Sequence, residues 1–341
     1  MTADAARIAI CDRIDALDRA QWTAVVEAAE APAFYDFRFL RAYERQPLQQ
    51  TEAIYYLTFG DPAVAVLPAY LQSTDDPLGV VANLGLPGRG PGDLILQTHV
   101  AHCYDTLLPA RPGTLTAGLV GSALETLGTL AAQAGAKWFA FLNVDGSGEL
   151  AELLVAAGLL RLPIFTRYNK HIAGYGSVDD FVAGIARKKS RYALRRSYSQ
   201  AESNDLRITR PDPAGGAPDS VGLCRGTTSR HGTAAYYPEW LGDFVADAAE
   251  VISVIEVRLA GKLACASICL KDPQRFHLWA GGLDYEVTAE IQSAFPLMLL
   301  PAMAEAIENG HSIFEAGRAN GVVKERFRLE PRPLFAYVGT T

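Results

Sequence analysis

The stretch TAGLVGSALETLGTLAAQAGAKWFAFLNV, residues 116–144, combines a helix, a glycine stop and an aromatic strand. Apolar residues recur at helical spacing up to Ala134, Gly135 ends the helix, and KWFAFLNV has the composition of a strand. The same order recurs in residues 293–315, SAFPLMLLPAMAEAIENGHSIFE, where Gly310 separates helix from strand. Two copies of one helix-to-strand unit predict duplicated α/β lobes rather than short solenoid repeats.

A hairpin precedes each copy. The first is formed by AIYYLTFG and AVAVLPAYLQS, residues 53–60 and 63–73, and the second lies within VISVIEVRLAGKLACASICLKD, residues 251–272. Strands before and after a helix imply a mixed sheet with a right-handed crossover in each half. We therefore expect an α/β (α+β) protein of two tandem lobes, residues 1–165 and 166–341, each a mixed β-sheet flanked by helices.

Residues 181–203, FVAGIARKKSRYALRRSYSQAES, form a basic helix at the junction of an otherwise acidic chain, whose formal net charge is −7. Arginines spaced by four residues share one face and repel one another by a few tenths of a kcal/mol per pair, which a polyanion would relieve. A tRNA acceptor stem fits this need. The residues of this helix that we expect to bind the tRNA, as donor of a transferred group, are Arg187, Lys188, Arg191 and Arg195. The alternative is a solvated helix whose cations pair with Asp179 and Asp180.

Composition excludes several classes of protein. The chain of 341 residues is 49% apolar, enough for two packed cores, and its net acidity argues against general coating of DNA or RNA. The N-terminal residues contain no apolar signal region, and no uninterrupted run is long enough to span a membrane. Five scattered cysteines indicate reduced thiols and a cytoplasmic location. His99 and His102 lack further ligands nearby, so no metal site is expected.

Three stretches resemble one known family. NKHIAGYGSVDDFVAGIARKKSRYALRRSYSQAESNDLRI (169–208) resembles the basic segment of Fem-type aminoacyltransferases and their peptidoglycan-biosynthesis-like relatives. GHSIFEAGRANGVVKERFRLEPRPLFAYV (310–338) is similar to their closing pattern, and TTSRHGTAAYYPEWLGDFV (227–245) to the helix and aromatic loop that open their second half. The resemblance extends over about residues 30–338. It implies two acetyltransferase-like (GNAT) lobes and transfer of an acyl or aminoacyl group onto an amine.

The closing pattern assigns candidate catalytic residues. By resemblance, Lys324 contacts the donor ester, and we expect its ammonium to stabilise the oxyanion; the alternative is an exposed lysine on a C-terminal strand. Glu315 could orient the amine or accept its proton, or could pair with Arg318. Arg326 and Phe327 could hold a phosphate and stack on a base, although packing is an equally good interpretation of Phe327.

Aromatic residues of the second half suggest an acceptor pocket. The residues expected to line it are Tyr236, Tyr237, Trp279, Tyr285, Arg318 and His231, with His231 a candidate base by residue type alone. Aromatic residues at such spacing are also typical of a core, and that alternative stays open.

The donor is judged from the loop that would hold the pyrophosphate of coenzyme A. In GGLDYEVTAEIQSAFP, Gly281 and Gly282 come too early, and Glu286 and Glu290 stand where phosphates need hydrogen-bond donors. LPARPGTLTAG, residues 108–118, has no matching glycine series either. We therefore expect no cofactor and an aminoacyl-tRNA donor, with coenzyme A as the alternative.

These observations lead to three hypotheses. The first is an aminoacyl-tRNA-dependent transferase acting on a small metabolite or cell-wall precursor, by direct attack of an amine and without a covalent enzyme intermediate. The second is an N-acyltransferase that uses acyl-CoA or an acyl carrier protein, and the third is a non-catalytic binding protein on the same scaffold. Abundant Ala, Arg and Gly suggest a GC-rich bacterium, in which such enzymes also serve natural product biosynthesis.

Overall fold

The protein, described by a computed structural model, divides into two compact units. The structure describes residues 7–76, 79–100, 102–185, 187–232, 236–318 and 320–341. Unit 1 comprises residues 1–166 together with 332–341, and unit 2 comprises residues 167–331. The chain therefore leaves unit 1 at Thr166 and returns to it at Arg332, a return that the sequence pattern did not indicate.

Unit 1 contains a hairpin, a long helix and the aromatic strand that follows it. Its helices are α1 (Arg19–Ala28), α2 (Phe37–Arg45), α3 (Ala117–Gln133) and α4 (Glu149–Ala156), with 3₁₀ turns at Ile14–Ala16, Ala33–Tyr35 and Ala82–Leu84. Its strands are β1 (Ile8–Cys11), β2 (Ala53–Phe59), β3 (Ala65–Ser73), β4 (Leu94–Thr98) and β5 (Trp138–Asp145). Asp18 and Thr116 cap α1 and α3 by accepting backbone N–H bonds.

The strands of unit 1 follow the order β1-β2-β3-β4-β5 and then β12 (Glu330–Thr340). Within the described part of unit 1, β4 and β5 are the parallel pair, with Ile95 opposite Trp138 and Thr98 opposite Phe141, and α3 connects them. The antiparallel partner of β5 is β12, which places Val338 opposite Ala140. The core of this unit packs α3 and α4 against the inward side chains of the sheet.

Unit 2 repeats the hairpin, helix and strand. Strand β6 (Leu160–His171) leads into it, and its helices are α5 (Val178–Gly184), α6 (Lys188–Glu202), α7 (Pro218–His231), α8 (Leu241–Asp247), α9 (Phe295–Glu308) and α10 (Gly321–Arg326). Its remaining strands are β7 (Arg207–Thr209), β8 (Ile252–Leu259), β9 (Lys262–Lys271), β10 (Arg275–Leu283) and β11 (Ile313–Glu315), with 3₁₀ turns at Pro213–Gly215 and Ala249–Val251. Ala260 and Gly261 form the β8–β9 turn with positive φ values of 48° and 81°.

The strands of unit 2 follow the order β7-β8-β9-β10-β11 and then β6. The parallel pair is β10–β11, in which His277 lies opposite Glu315, and α9 connects the two strands. Glu315 also lies opposite Asn169 on the antiparallel strand β6. The mixed sheet expected in each half is therefore confirmed, and one parallel pair lies at the corresponding place in each unit.

The predicted basic helix is interrupted. Residues 181–203 contain the end of α5 and then α6, and the backbone at Ile185 and Arg187 is extended. Ala186 lies outside the described residues. The break separates apolar residues of α5, such as Val182, from the charged residues of α6, so two short amphipathic helices replace one.

No helix in the described part of the chain is both long and apolar enough to cross a bilayer.

Candidate functional site

The candidate site of unit 2 lies where the parallel strands β10 and β11 part. The pairing ends at His277 and Glu315, beyond which β10 continues to Leu283 while β11 turns into the loop that precedes α10. The carboxyl ends of parallel strands are where α/β sheets place their binding groups, because the connecting loops converge there.

Helix α10 buries Lys324. Asn320 precedes the helix in the left-handed conformation, with a φ of 60°, and the carbonyl of Asn320 accepts the backbone N–H of Lys324 at 3.1 Å. The lysine is 3% exposed, and its Nζ lies 5.6 Å from the centroid of the Tyr168 ring. The alternative of an exposed lysine on a strand is therefore wrong, because Lys324 is in a helix and packed against an aromatic face.

Gly321 allows α10 to approach Tyr168 closely. A Cβ atom on this glycine would lie 2.1 Å from the Tyr168 hydroxyl, a distance that no side chain tolerates. The Tyr168 hydroxyl donates a 3.3 Å hydrogen bond to Oε1 of Glu325, on the same helix. The tyrosine thus contacts α10 through its hydroxyl and faces Lys324 with its ring.

The environment of Lys324 favours the loss of its proton. The pKa of Lys324 is lowered to about 7, chiefly by burial and then by the positive charge of Arg318, while the negative charge of Glu315 opposes both. Among the described residues, no carboxylate lies within salt-bridge distance of the Lys324 ammonium. Neutral and charged forms of this lysine therefore coexist near neutral pH.

Glu315 is a buried carboxylate held by two donors from β6. It is 1% exposed, and its Oε1 accepts hydrogen bonds from Arg167 Nη1 at 3.2 Å and from Asn169 Nδ2 at 3.1 Å. Arg167 is itself only 6% exposed, so the ion pair is buried. Such a carboxylate is fixed in position, which suits a group that orients others.

Arg318 connects the charged residues to an aromatic cluster. Its Nη2 donates a 2.8 Å hydrogen bond to the Tyr236 hydroxyl, and the Tyr236 ring meets the Tyr237 ring edge-on at 4.7 Å. Tyr237 packs on Trp279 at 5.8 Å and donates to its carbonyl at 3.5 Å. Tyr237 and Trp279 are buried and form the support of this cluster, whereas Tyr236 is half-buried and its hydroxyl faces Arg318.

The other predicted site residues lie apart from this cluster or in the core. His231 is exposed and meets the Tyr285 ring at 5.3 Å, and no contact of the described residues links it to Lys324. Arg326 is exposed on α10. Phe327 is 5% exposed and stacks on Phe295, so its role is packing, the alternative that the sequence left open, because a buried ring offers no face to a base.

Helix α6 exposes the predicted donor-binding cations. Arg191 is partly buried and donates to the carbonyl of Ile185, where the chain bends into the helix. Its exposed cations are Arg187, Lys188, Lys189, Arg195 and Arg196. Within the described residues none of these exposed cations forms a salt bridge, so the expected pairing with Asp179 and Asp180 is wrong, whereas their exposure agrees with the alternative of a solvated helix.

Sequence reasoning missed Arg167, Tyr168 and Asn169. The one signal available was the alternation in RYNKH, which places Arg167 and Asn169 on the same face of a strand. Their function depends on the pairing of β6 with β11, and strand partners distant in sequence cannot be read from a local pattern.

The charges of the cluster are of a kind that acyl transfer can use. A buried lysine, two arginines and one carboxylate give a surplus of positive charge, which stabilises an anion that develops on a carbonyl oxygen. Among the residues that the structure describes, no group of three or more His, Cys, Asp or Glu side chains could hold a metal ion.

Comparison with known proteins places this site in a recognised domain. Residues 187–327 match the family model of the acetyltransferase (GNAT) domain, a range that includes α6, Glu315, Arg318 and Lys324. The protein is therefore an acyltransferase. No curated protein sequence matches the chain.

Solved structures share the fold of the chain at low identity. FemX superposes with a TM-score of 0.64 at 9% identity, covering 95% of this chain and 96% of FemX. L-PGS from Bacillus licheniformis superposes with a TM-score of 0.56 at 11% identity, covering 94% of this chain and 91% of L-PGS. A tandem GNAT protein from the clavulanic acid biosynthesis pathway gives 0.54 at 13%, covering 98% of both chains. These likenesses establish a tandem GNAT-like, Fem-like fold.

Proposed function

We propose that the protein is an aminoacyl-tRNA-dependent transferase that forms an amide bond on a small amine, either a metabolite or a cell-wall precursor. The observation that carries this proposal is the set of exposed cations on α6, Lys188, Lys189, Arg195 and Arg196, which form no salt bridge with any described residue and belong to the unit that buries Lys324. The Fem-type resemblance of the sequence and the fold shared with FemX agree with it.

The start of α6 is arranged for an anion. Lys188 and Lys189 occupy its first turn, which contains no acidic residue and no side-chain cap. Lysines are unfavourable there, because the helix dipole already places partial positive charge at this end. A phosphate would be stabilised by both the lysines and the free N–H groups. Tyr192, 65% exposed among these cations, offers a face on which a base can stack.

The basic helix is anchored to the same core as the lysine. Leu194 of α6 packs in the cluster that contains Tyr168 and Phe327. In addition, Arg328, just past α10, donates a 2.7 Å hydrogen bond to the carbonyl of Gly184, just before α6 begins. A polyanion bound along α6 can therefore direct its reactive end toward α10.

The loop before α9 does not suit the pyrophosphate of coenzyme A. The carboxylate of Asp284 accepts the backbone N–H groups of Glu286 at 2.9 Å and Val287 at 3.0 Å. The backbone N–H of Gln292 donates to the side-chain Oε1 of Gln200 at 3.0 Å. Donors that a pyrophosphate would need are thus already used by the chain itself, which favours the tRNA donor over the alternative.

The proposed reaction is a direct aminolysis. The lone pair of the acceptor amine attacks the carbonyl carbon of the aminoacyl ester, and the new C–N bond places negative charge on the carbonyl oxygen. The ammonium of Lys324 stabilises that oxygen, with Arg318 adding positive potential. When the oxyanion collapses, the C–O bond to the tRNA ribose breaks, and the ribose hydroxyl leaves with the proton that the amine releases. Glu315, held by Arg167 and Asn169, keeps the cationic groups in position.

The donor is tested with two parallel incubations. Purified protein and a pool of small amines are given either mixed aminoacyl-tRNAs labelled in the amino acid or mixed acyl-CoAs. We expect labelled amide from the tRNA pool, abolished when RNase is added first. Product from acyl-CoA that resists RNase would replace this proposal by the coenzyme A alternative, and absence of product from both pools would contradict acyl transfer to such amines.

The contribution of α6 is tested by neutralising its exposed cations. The variant combines Lys188→Gln, Lys189→Gln, Arg195→Gln and Arg196→Gln, with Arg207→Gln on β7 as the matched exposed control. We expect tRNA affinity to fall at least tenfold and its dependence on log salt to become shallower by about 0.7–0.9 for each phosphate that the helix no longer neutralises. Unchanged affinity and slope would show that tRNA does not bind along α6.

A further inference from the structure

Unit 1 contains a cavity of about 340 Å³ that has no part in the proposed acyl transfer. It lies beside α4 and the strands β5 and β12. Its lining consists of Gly146, Ala151, Glu152, Val155, Ala156, Arg161 and Tyr337. Cavities from about 300 Å³ upward accommodate small ligands, usually on apolar walls with a few polar groups that fix orientation.

Arg161 presents an unpaired guanidinium to this cavity. Its Cζ lies 3.8 Å from the centroid of the Phe335 ring, so the ring holds the side chain against the strand β12. Throughout the described ranges of the chain, no carboxylate comes within 4.0 Å of Arg161. A guanidinium stacked in this way keeps its N–H edge for a planar, bidentate acceptor such as a carboxylate.

Gly146 makes this stack possible. A Cβ atom at this position would lie 2.3 Å from Cε2 of Phe335 and 2.7 Å from Nη2 of Arg161. Any other residue would therefore clash with both the ring and the guanidinium and disrupt their stack. The cavity and the pose of Arg161 depend on the same glycine.

Tyr337 supplies a second polar group. The residue is fully buried, and its hydroxyl has no hydrogen-bond partner among the residues that the structure describes. A buried hydroxyl without a partner is unfavourable, and a hydrogen bond to a ligand oxygen would relieve that cost. Burial raises the pKa of Tyr337, so the hydroxyl keeps its proton as a donor.

The rest of the lining is aliphatic. Ala151, Val155 and Ala156 form one wall on α4, and Val155 is 49% exposed, a large value for an aliphatic side chain. We propose that this cavity binds a small aliphatic carboxylate, whose oxygens pair with Arg161 and Tyr337 and whose alkyl group packs on Ala151, Val155 and Ala156. Glu152 also lines the cavity, and its negative charge determines whether the ligand can carry an α-ammonium group.

Calorimetric titration of the full chain with matched probes tests this site. Isovalerate and L-leucine share a carboxylate and an isobutyl group, whereas isovaleramide has the same shape without charge. We expect the carboxylates to bind and isovaleramide to bind at least about tenfold more weakly, since a charge-assisted bidentate pair is lost. L-leucine binding more tightly than isovalerate would identify an amino acid as the ligand class, and the reverse a simple acid.

Variants separate the site from general effects on folding. We expect Arg161→Gln to weaken binding at least tenfold, Tyr337→Phe about threefold to tenfold, and Gly146→Ala to abolish it with both polar groups present. Arg13→Gln, an exposed arginine elsewhere in unit 1, is the control and should bind normally. Absence of carboxylate binding to the native chain, or equal binding to Arg161→Gln, overturns the inference. The assay requires no transferase activity, so it is independent of the proposed function.

Discussion

The two parallel strand pairs, β4–β5 in unit 1 and β10–β11 in unit 2, begin alike and end differently. The last partners of the first pair are Thr98 and Phe141. Beyond them, hydrogen bonds within the chain occupy Asn143: its side-chain amide donates to the carbonyl of Cys103 at 2.6 Å, and its backbone carbonyl accepts the N–H of Thr106 at 3.1 Å. Beyond the second pair lie Glu315, Arg318 and the buried amine of Lys324.

The difference lies in which groups are buried. In unit 1 one buried titratable group next to the strand pair is His99, and burial lowers the pKa of His99 to about 3, so it remains neutral. In unit 2 the buried amine has a pKa of about 7 and neighbours of both signs. Burial therefore keeps His99 neutral, whereas Lys324 stays partly charged near neutral pH, as the proposed stabilisation of a transition state requires.

Removing the amine of Lys324 should have the largest effect. We expect Lys324→Met to lower the transfer rate by about a hundredfold to a thousandfold, because the developing oxyanion loses its charged partner. Lys262→Met, which changes an exposed lysine of the same unit, is the control and should leave the rate unchanged. A Lys324→Met enzyme with native kinetics would remove the chemical contrast between the two strand pairs.

The pH dependence should report the lowered pKa directly. If the ammonium form is required, transfer should fall about tenfold per pH unit above about 7, since that form is lost as pH rises through the Lys324 pKa. Trinitrophenylation by trinitrobenzenesulfonate, followed residue by residue with mass spectrometry, should give a midpoint near 7 for Lys324 and a much higher one for Lys262. Coincident midpoints would contradict the influence of burial.

Protein stability should follow the same proton. Between about pH 7 and the ordinary lysine pKa of 10.5, the unfolded chain binds more protons than the folded protein at Lys324. The free energy of unfolding should therefore contain a component that increases with pH across this window and is lost as pH falls through about 7. Lys324→Met should abolish this component in denaturant titrations, whereas Lys262→Met should retain it.

Displacing Tyr168 should have a moderate effect. Gly321→Ala places a methyl group 2.1 Å from the present position of the Tyr168 hydroxyl, so the ring must move from Lys324. We expect about a tenfold loss of transfer with the fold retained, because small displacements of catalytic groups are costly. Gly222→Ala on α7, with open space around it, is the matched control and should cost no activity. Equal kinetics in both variants would exclude a positioning role for Tyr168.

Changing Asn143, which lies just beyond the β4–β5 pairing of unit 1, should have the smallest effect on activity. Asn143→Ala removes the bond to Cys103 and puts a less suitable residue at a φ of 56°, so we expect about 1–3 kcal/mol less stability and unchanged kcat per folded molecule. Asn143→Gly keeps the backbone conformation available and isolates the hydrogen bond. A large loss of kcat in either variant would mean that unit 1 also takes part in catalysis.

The sequence predicts what is local and misses what is paired over distance. Helix α3, the strand β5 and the β8–β9 turn follow from apolar spacing, a glycine stop and the pair Ala260-Gly261, all of which are local signals. The break between α5 and α6 was missed, because the apolar spacing continues through it. The last strand of the chain, β12, pairs with β5, and β6 pairs with β11. No local sequence signal indicates either pairing.

The same division applies to the candidate site. Glu315, Arg318 and Lys324 are close in sequence, so the sequence alone could assign them to one site. Arg167 and Asn169 are distant in sequence and contact Glu315 only because β6 pairs with β11. The sequence could not decide whether Phe327 was exposed, since a single aromatic residue fits a core or a surface equally well, and the stacking on Phe295 decides it.

The return of the chain to unit 1 sets an order for its biosynthesis. A ribosome completes residues 1–166 long before residues 332–341, so the nascent first unit waits with the hydrogen-bonding edge of β5 unpaired until all of unit 2 has emerged. Open strand edges recruit other strands, and chaperones commonly shield them. Unit 1 is therefore synthesised first but completes its sheet last. Premature termination anywhere within unit 2 would release a nascent chain prone to aggregation.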